Sequence, residues 1–168
     1  MNKIAIFTED TYGKQFISEI IKKLKDERTI LRSTKISIHA MPRRCSSKLS
    51  RVLKLQCIMG CRKIIFIVDG DGKDEQKVKE KELIHGLGLR CQLTIIVNKY
   101  EIEEWILYAY NRKISEHPKP SVELKKIFPN YEKNQLHKVL QTVLQDQIKW
   151  NRLKQYEKFK ELVRELRN

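Results

Sequence analysis

No apolar run in the 168 residues approaches the roughly 18 to 20 needed to cross a bilayer, so no membrane partner is expected. No internal repeat is present, which removes repeat architectures. The opening Met-Asn-Lys-Ile-Ala-Ile-Phe lacks the apolar h-region and the small-residue cleavage site that export requires. It reads as a strand, and the expected location is cytoplasmic. Cysteine is sparse, with Cys45, Cys57, Cys61 and Cys91. A chain of this size in a reducing compartment neither needs nor keeps a disulfide framework, so buried thiols are expected. Cys57-x-x-x-Cys61 has the spacing of a zinc half-site, but no second Cys or His pair with finger-like spacing accompanies it. Acid is also the minority charge, at 21 Asp/Glu against 35 Lys/Arg for a net +14. The excess is not confined to a tail, because residues 112 to 168 hold 14 basic and 7 acidic side chains. Such a balance points to a polyanionic partner, DNA or RNA, weighed against a lysine-rich surface that serves solubility alone.

What is present is globular in character: 40% hydrophobic and 33% charged residues, in a length that suits one domain with a helical extension. The most informative stretch runs from Arg62 to Glu75. Five consecutive apolar residues, Ile64 to Val68, stop at Asp69-Gly70-Asp71-Gly72. The run is too short for a helix and reads as a strand buried on both faces. The carboxyl ends of parallel strands are where open α/β sheets bind ligands, which is where Asp69 and Asp71 would sit.

The rest of the chain alternates strand and helix. Ile4 to Phe7 is a strand ending at Thr8-Glu9-Asp10, and Phe16, Ile17, Ile20, Ile21 and Leu24 recur at helical spacing after it. Lys35 to Met41 alternates as a half-exposed strand near a sheet edge. A helix capped by Ser46 or Ser47 should present Leu49, Val52, Leu53, Cys57 and Ile58 and stop at Gly60. Asp74 to about Ile84 is a charged, exposed helix, and Leu93 to Val97 is a fourth strand. The following helix would pack Ile102, Trp105, Ile106 and Ala109 on the sheet and turn Glu103 or Glu104 toward the edge. From Asn111 only helices are expected, with Pro118, Pro120 and Pro129 as breaks. Leu136, Val139, Leu140, Val143 and Leu144 form one apolar face, and Leu153, Tyr156, Phe159, Leu162, Val163 and Leu166 another. This divides the chain into an α/β unit, 1–110, and a helical extension, 111–168, packed on it.

Three strand ends thus deliver Glu9, the pair Asp69/Asp71, and Glu101/Glu103/Glu104 to one sheet edge. Asp and Gly are ordinary turn residues, but a turn need not be matched by an acid on a neighbouring strand. An extended Asp-x-Asp would set its carboxylates about 6 to 7 Å apart on one side, from a rise of roughly 3.3 Å per residue. Oxygen ligands of this kind suit Mg²⁺ or Mn²⁺ rather than zinc. Arg43, Arg44, Lys73 and Lys99 lie near strand ends, where they would neutralise phosphates.

Apolar strand–Glu–helix, here Ile4-Ala5-Ile6-Phe7-Thr8-Glu9 leading to Lys14-Gln15-Phe16, followed by apolar strand–Asp-x-Asp, here Ile64 to Asp71, resembles the toprim domain of topoisomerases, bacterial-type primases and related nucleases. The likeness covers about residues 1 to 110. Tyr100-Glu101-Ile102-Glu103-Glu104-Trp105-Ile106-Leu107 resembles the Ile-Glu-x-Trp-Leu-Leu segment of small stand-alone toprim-like proteins related to the overcoming-lysogenization-defect nucleases. The resemblance implies about four mostly parallel strands with flanking helices and a metal-dependent phosphoryl-transfer site. Glu9 would be the general acid or base, Asp69 and Asp71 would hold metal, Glu103 would be an additional acid, and Asp74 a further ligand. The chain departs from the topoisomerase pattern in having Gly72-Lys73-Asp74 where that family has Arg-Glu-Gly, and it carries no strand-transfer tyrosine domain. Metal-dependent hydrolysis of nucleic acid is the expected activity. Its rivals are a non-catalytic nucleic-acid-binding or regulatory module, primase-like nucleotidyl transfer, and a small-molecule phosphotransferase. The nuclease resemblance leaves a partner ATPase or a homo-oligomer open, and the sequence specifies neither.

Overall fold

The computed structural model describes residues 3–42 and 47–167. Strands β1 (Lys3–Thr8), β2 (Lys35–Ala40), β3 (Cys61–Asp69) and β4 (Gln92–Asn98) form one parallel sheet in the order β2-β1-β3-β4. The two strands with the most continuous apolar sequence take the centre, where both faces are covered. Ile65 and Ile67 of β3 pack with Ile4 and Ile6 of β1 and Ile96 of β4 on one face, while Ile64, Phe66 and Val68 pack with Ala5, Phe7, Ile95 and Val97 on the other. β2 is an edge strand, and none of its residues is fully buried.

Helix α1 (Thr11–Asp26) covers the first face with the periodic set Phe16, Ile17, Ile20, Ile21 and Leu24, all buried. Its start is fixed by Asp10, whose Oδ1 accepts the Gly13 N–H at 2.7 Å. α4 (Glu104–Ala109) lies on the same face, with Trp105 fully buried against Phe16, Tyr156 and Phe159. α2 (Ser47–Ile58) and α3 (Glu75–Leu83) belong to the second face, where Leu49, Leu53 and Val78 meet the sheet. The remaining helices are α5 (Pro120–Leu124), α6 (Leu136–Leu144), α7 (Gln147–Leu153) and α8 (Glu157–Arg167). Both apolar faces expected there are buried in the same core as α1 and the sheet. α8 is further tied to the sheet by Glu165, whose Oε2 meets the Lys63 ammonium at 3.0 Å. Among the described residues no helix is long and apolar enough to cross a membrane.

Two expectations need correction. The cysteines are not all free thiols: Cys57 at the end of α2 is bonded to Cys91 just ahead of β4, with Cα atoms 5.5 Å apart, and Cys61 is a buried free thiol. Parallel topology brings the foot of a helix beside the foot of a strand 34 positions away, which no local spacing reveals. Asp69-x-Asp71 is also not an extended pair. β3 ends at Asp69, and Asp71 lies in a turn with φ 51°, so a strand spacing does not apply to it.

Candidate active site at the carboxyl edge of the sheet

The central strands end at a shared edge because β1, β3 and β4 run in register: Thr8 lies beside Ile67 and Asp69 beside Asn98. Glu9 follows β1 directly, and its Oε1 accepts the Asp69 backbone N–H at 3.0 Å. Asn98 donates from Nδ2 to Asp69 Oδ1 at 2.9 Å and is itself held by Trp105, whose indole N–H donates to Asn98 Oδ1 at 2.8 Å. A buried tryptophan thus fixes an amide that fixes the aspartate. The glycine-rich turn is docked on the β4–α4 connection by backbone bonds, Gly70 N–H to Asn98 O at 2.9 Å and Gly72 N–H to Lys99 O at 2.8 Å. A Cβ on Gly70 would stand 2.7 Å from the Asn98 carbonyl oxygen, so this approach requires glycine.

The two adjacent glutamates have opposite surroundings. Glu104 is fully buried and saturated: it accepts the N–H groups of Lys99 at 2.8 Å and Tyr100 at 2.9 Å, and the Tyr156 hydroxyl. It braces the loop that carries the turn. Glu103 is equally buried, accepts the Tyr131 hydroxyl on Oε1 at 2.9 Å, and leaves Oε2 with no hydrogen-bond partner. That oxygen faces the Lys133 ammonium at 3.7 Å, and the same ammonium lies 3.7 Å from Asp10 Oδ2.

Burial governs the titration of this cluster. It pushes the Asp69 carboxyl up to about 7, against the opposing effects of the Asn98 bond and the Lys133 charge. Glu103 and Glu104 are raised for the same reason, partly offset by Lys133 and Tyr131 for the first and by Tyr156 and the two N–H groups for the second. Burial works against the Lys133 charge, but Glu103, Asp69 and Asp10 outweigh it and hold the ammonium above its ordinary range.

Glu9, Asp69 and Glu103 therefore lie around one strand-end cluster, with the exposed Asp71 in the turn beyond β3. Asp74 is placed by a different task, since its Oδ1 caps α3 by accepting the Lys77 N–H at 2.9 Å. Lys73 is exposed in the groove beside Asp69 and Asp71, and Lys99 is exposed with its ammonium over the Tyr100 ring. Arg43 and Arg44 lie outside the described residues. Glu101 accepts the Ser121 N–H at 2.9 Å and so anchors α5. No three His, Cys, Asp or Glu side chains among the described residues are gathered closely enough to hold a metal ion as they stand.

Sequence reasoning passed over Asn98, Asp10, Tyr131 and Lys133. Asn98 had a usable signal, because it ends the fourth apolar run at the level of Asp69. Tyr131 and Lys133 had none, since they come from the helical region 28 and 30 positions after Glu103. Comparison of the chain with protein-family models, with curated proteins and with solved structures returned no match.

Proposed function

We propose that the chain is a divalent-metal-dependent, toprim-type nuclease that hydrolyses phosphodiesters in DNA or RNA. The observation that carries this reading is the convergence of Glu9, Asp69 and Glu103 from three strand ends, with one buried Glu103 oxygen that no hydrogen bond satisfies. The cation that oxygen faces in the chain itself, the Lys133 ammonium, stands 3.7 Å away, and a buried carboxylate is stabilised further by a cation in direct contact. The donor type suits a hard, oxygen-loving ion, and Glu9, Asp69, Asp71 and Glu103 would hold Mg²⁺ or Mn²⁺, with Asp74 keeping one oxygen on its cap. Bound there, the ion would lower the pKa of a water and stabilise the leaving oxygen.

The chain's own groups have separable tasks in this reading. Glu9, whose Oε1 accepts the Asp69 N–H, takes or returns the proton of the attacking water. Asp69 is oriented by Asn98 and must be ionised to act as ligand. Lys133 offsets the negative charge of Glu103 and Asp10, which would otherwise repel the substrate phosphate. The net +14 supplies the long-range attraction for a polyanion.

The test is cleavage of end-labelled single- and double-stranded DNA and RNA with Mg²⁺, Mn²⁺ or EDTA, comparing the natural chain with Asp69→Asn and Asp71→Ala. Metal-dependent cutting that both substitutions abolish is the expected result and identifies the substrate. Absence of cutting by the natural chain in every metal would refute the catalytic claim. A second reading, a non-catalytic nucleic-acid-binding module, is favoured by one observation, the Lys133 ammonium already facing Glu103 and Asp10 where a metal would compete with it. Unchanged binding by Asp69→Asn with no turnover would select it. Primase-like nucleotidyl transfer would use the same carboxylates and would show as extension of the labelled strand.

A further inference from the structure

The acidic turn opens into a groove of about 390 Å³ whose far wall is the flank of α3. Asp69, Gly70 and Asp71 line it from the turn, and Lys73, Lys77 and Lys81 line it together with the acids Asp74 and Glu82. Lys77 and Lys81 stand one turn apart on one face of α3, about 6 Å along its axis from a rise of 1.5 Å per residue, and Lys73 precedes the helix in the turn that leads into it. All three lysines are exposed. Among the described residues none has a carboxylate partner.

The contrast within the same helix is informative. Lys79, two positions from Lys77 and from Lys81, faces α8 and is paired with Glu75 at 2.7 Å and Glu161 at 3.4 Å, while Lys158 of α8 meets Glu75 at 2.7 Å. The side of α3 that packs on the protein has matched charges. The side that lines the groove carries Lys77 and Lys81 one turn apart, a like-charge pair that is unfavourable for a helix by itself. Val78, between the two sides, anchors the helix to the second core. The acids that also line the groove are turned to other partners, Asp74 Oδ1 to the Lys77 N–H and the buried Glu82 to His85 at 3.6 Å, and the spacing of Lys77 and Lys81 is close to that of successive phosphates along a nucleic-acid strand.

We propose that Lys73, Lys77 and Lys81 form a phosphate rail that guides the backbone of one nucleic-acid strand along α3 to the Asp69/Asp71 turn. The proposal rests on the reading of that turn as the site of phosphodiester chemistry, and it adds where the strand lies. Lys73 sits nearest the carboxylates, and Lys77 and Lys81 take the next phosphates down the helix. The contacts are to the backbone, so the rail is indifferent to base sequence. It serves DNA and RNA strands alike.

The experiment is fluorescence anisotropy of labelled 12-nucleotide oligo-dT and oligo-rU strands in EDTA across a salt series, which excludes cleavage. The variants are Lys77→Gln/Lys81→Gln and a control that removes the same charge on α1 and α6, Lys22→Gln/Lys138→Gln. Each phosphate contact contributes about 0.7 to the slope of log affinity against log salt for a single strand. The rail variant should therefore bind at least roughly tenfold more weakly at low salt, with a slope shallower by about 1.4, and the control should keep most of both. Equal losses in the two variants, or no loss in the rail variant, would overturn the proposal, as would no binding by the natural chain at low salt. Failure of the nuclease reading is distinguishable: a chain that binds through the rail and cuts nothing with any metal sinks that reading and leaves the rail. A chain that cuts while Lys77→Gln/Lys81→Gln binds normally sinks only the rail.

Discussion

Neighbouring glutamates at the head of α4 should respond to substitution in opposite ways. Glu104→Ala removes an acceptor of three hydrogen bonds in a site with no solvent, leaving the Lys99 and Tyr100 N–H groups and the Tyr156 hydroxyl without their partner. At about 1 to 3 kcal/mol for each buried group left unpaired, partly recovered by relaxation, the expected loss is roughly 3 to 5 kcal/mol. For a chain of this length that lowers Tm by on the order of 10 °C. Glu103→Gln leaves the Tyr131 bond to Oε1 intact and gives up the 3.7 Å ion pair with the partly exposed Lys133, but it also relieves the burial of a charge, so stability should change by less than about 1 kcal/mol. Metal-dependent activity should nevertheless be lost in Glu103→Gln. Urea and thermal unfolding in EDTA, followed by far-ultraviolet circular dichroism, separate the two. A Glu104→Ala chain within 1 kcal/mol of the natural one would refute the bracing role, and a Glu103→Gln chain that unfolds many degrees lower would show that this carboxylate is structural too.

Two further outcomes follow from the same geometry. Asp69 titrates at about 7 in the folded chain instead of 3.8, so between those values the fold holds a proton that the unfolded chain has lost. Stability in EDTA should then fall as pH rises from 5 to 8, by at most about 3 kcal/mol from this group, since about two of its pKa units lie in that window at 1.4 kcal/mol each. Asp69→Asn should flatten that fall, with Glu103 and Glu104 supplying the remainder in the same direction; denaturant midpoints at pH 5 and 8 that differ equally in both chains would contradict the assignment. Gly70→Ala must displace the Asn98 and Lys99 carbonyls, which lie 2.7 and 3.1 Å from the new Cβ, and should cost roughly 1 to 3 kcal/mol while misplacing Asp69. A variant of full stability and activity would show that the turn yields freely.

The sheet was legible because its central strands are the short continuous apolar runs that cover on both faces demands, while the half-exposed strand alternates. Ile64 to Val68 could only be a central strand, and the more polar Lys35 to Met41 only an edge. Glu9 and Asp69 were legible for the same reason, since a carboxylate that follows a buried strand must emerge at the sheet's end. Asp71 was read less well. Whether a residue after Asp-Gly continues extended or enters the left-handed region is decided by what the turn docks on, here the carbonyls of Asn98, Lys99 and Tyr100 from another strand end. The assignment of Glu103 and Glu104 stayed open because both are acids in one helical turn. Only the tertiary partners, Tyr156 for one and Tyr131 with Lys133 for the other, tell them apart.

Those partners make the helical region part of the site rather than an appendage to it. Tyr131 and Lys133 arrive through the turn that precedes α6, and α6 is held by Leu136, Val139, Leu140 and Val143 in the core shared with α1 and the sheet. A carboxylate as buried as Glu103 would be strongly disfavoured in the α/β unit alone, because the hydroxyl and the ammonium it faces come from Tyr131 and Lys133. Glu103 and the lysine it faces are thus positioned by one hydrophobic core. Loosening α6, for example by Leu140→Ala, is expected to cost about 2 to 5 kcal/mol and to raise the charge repulsion at the strand ends at the same time.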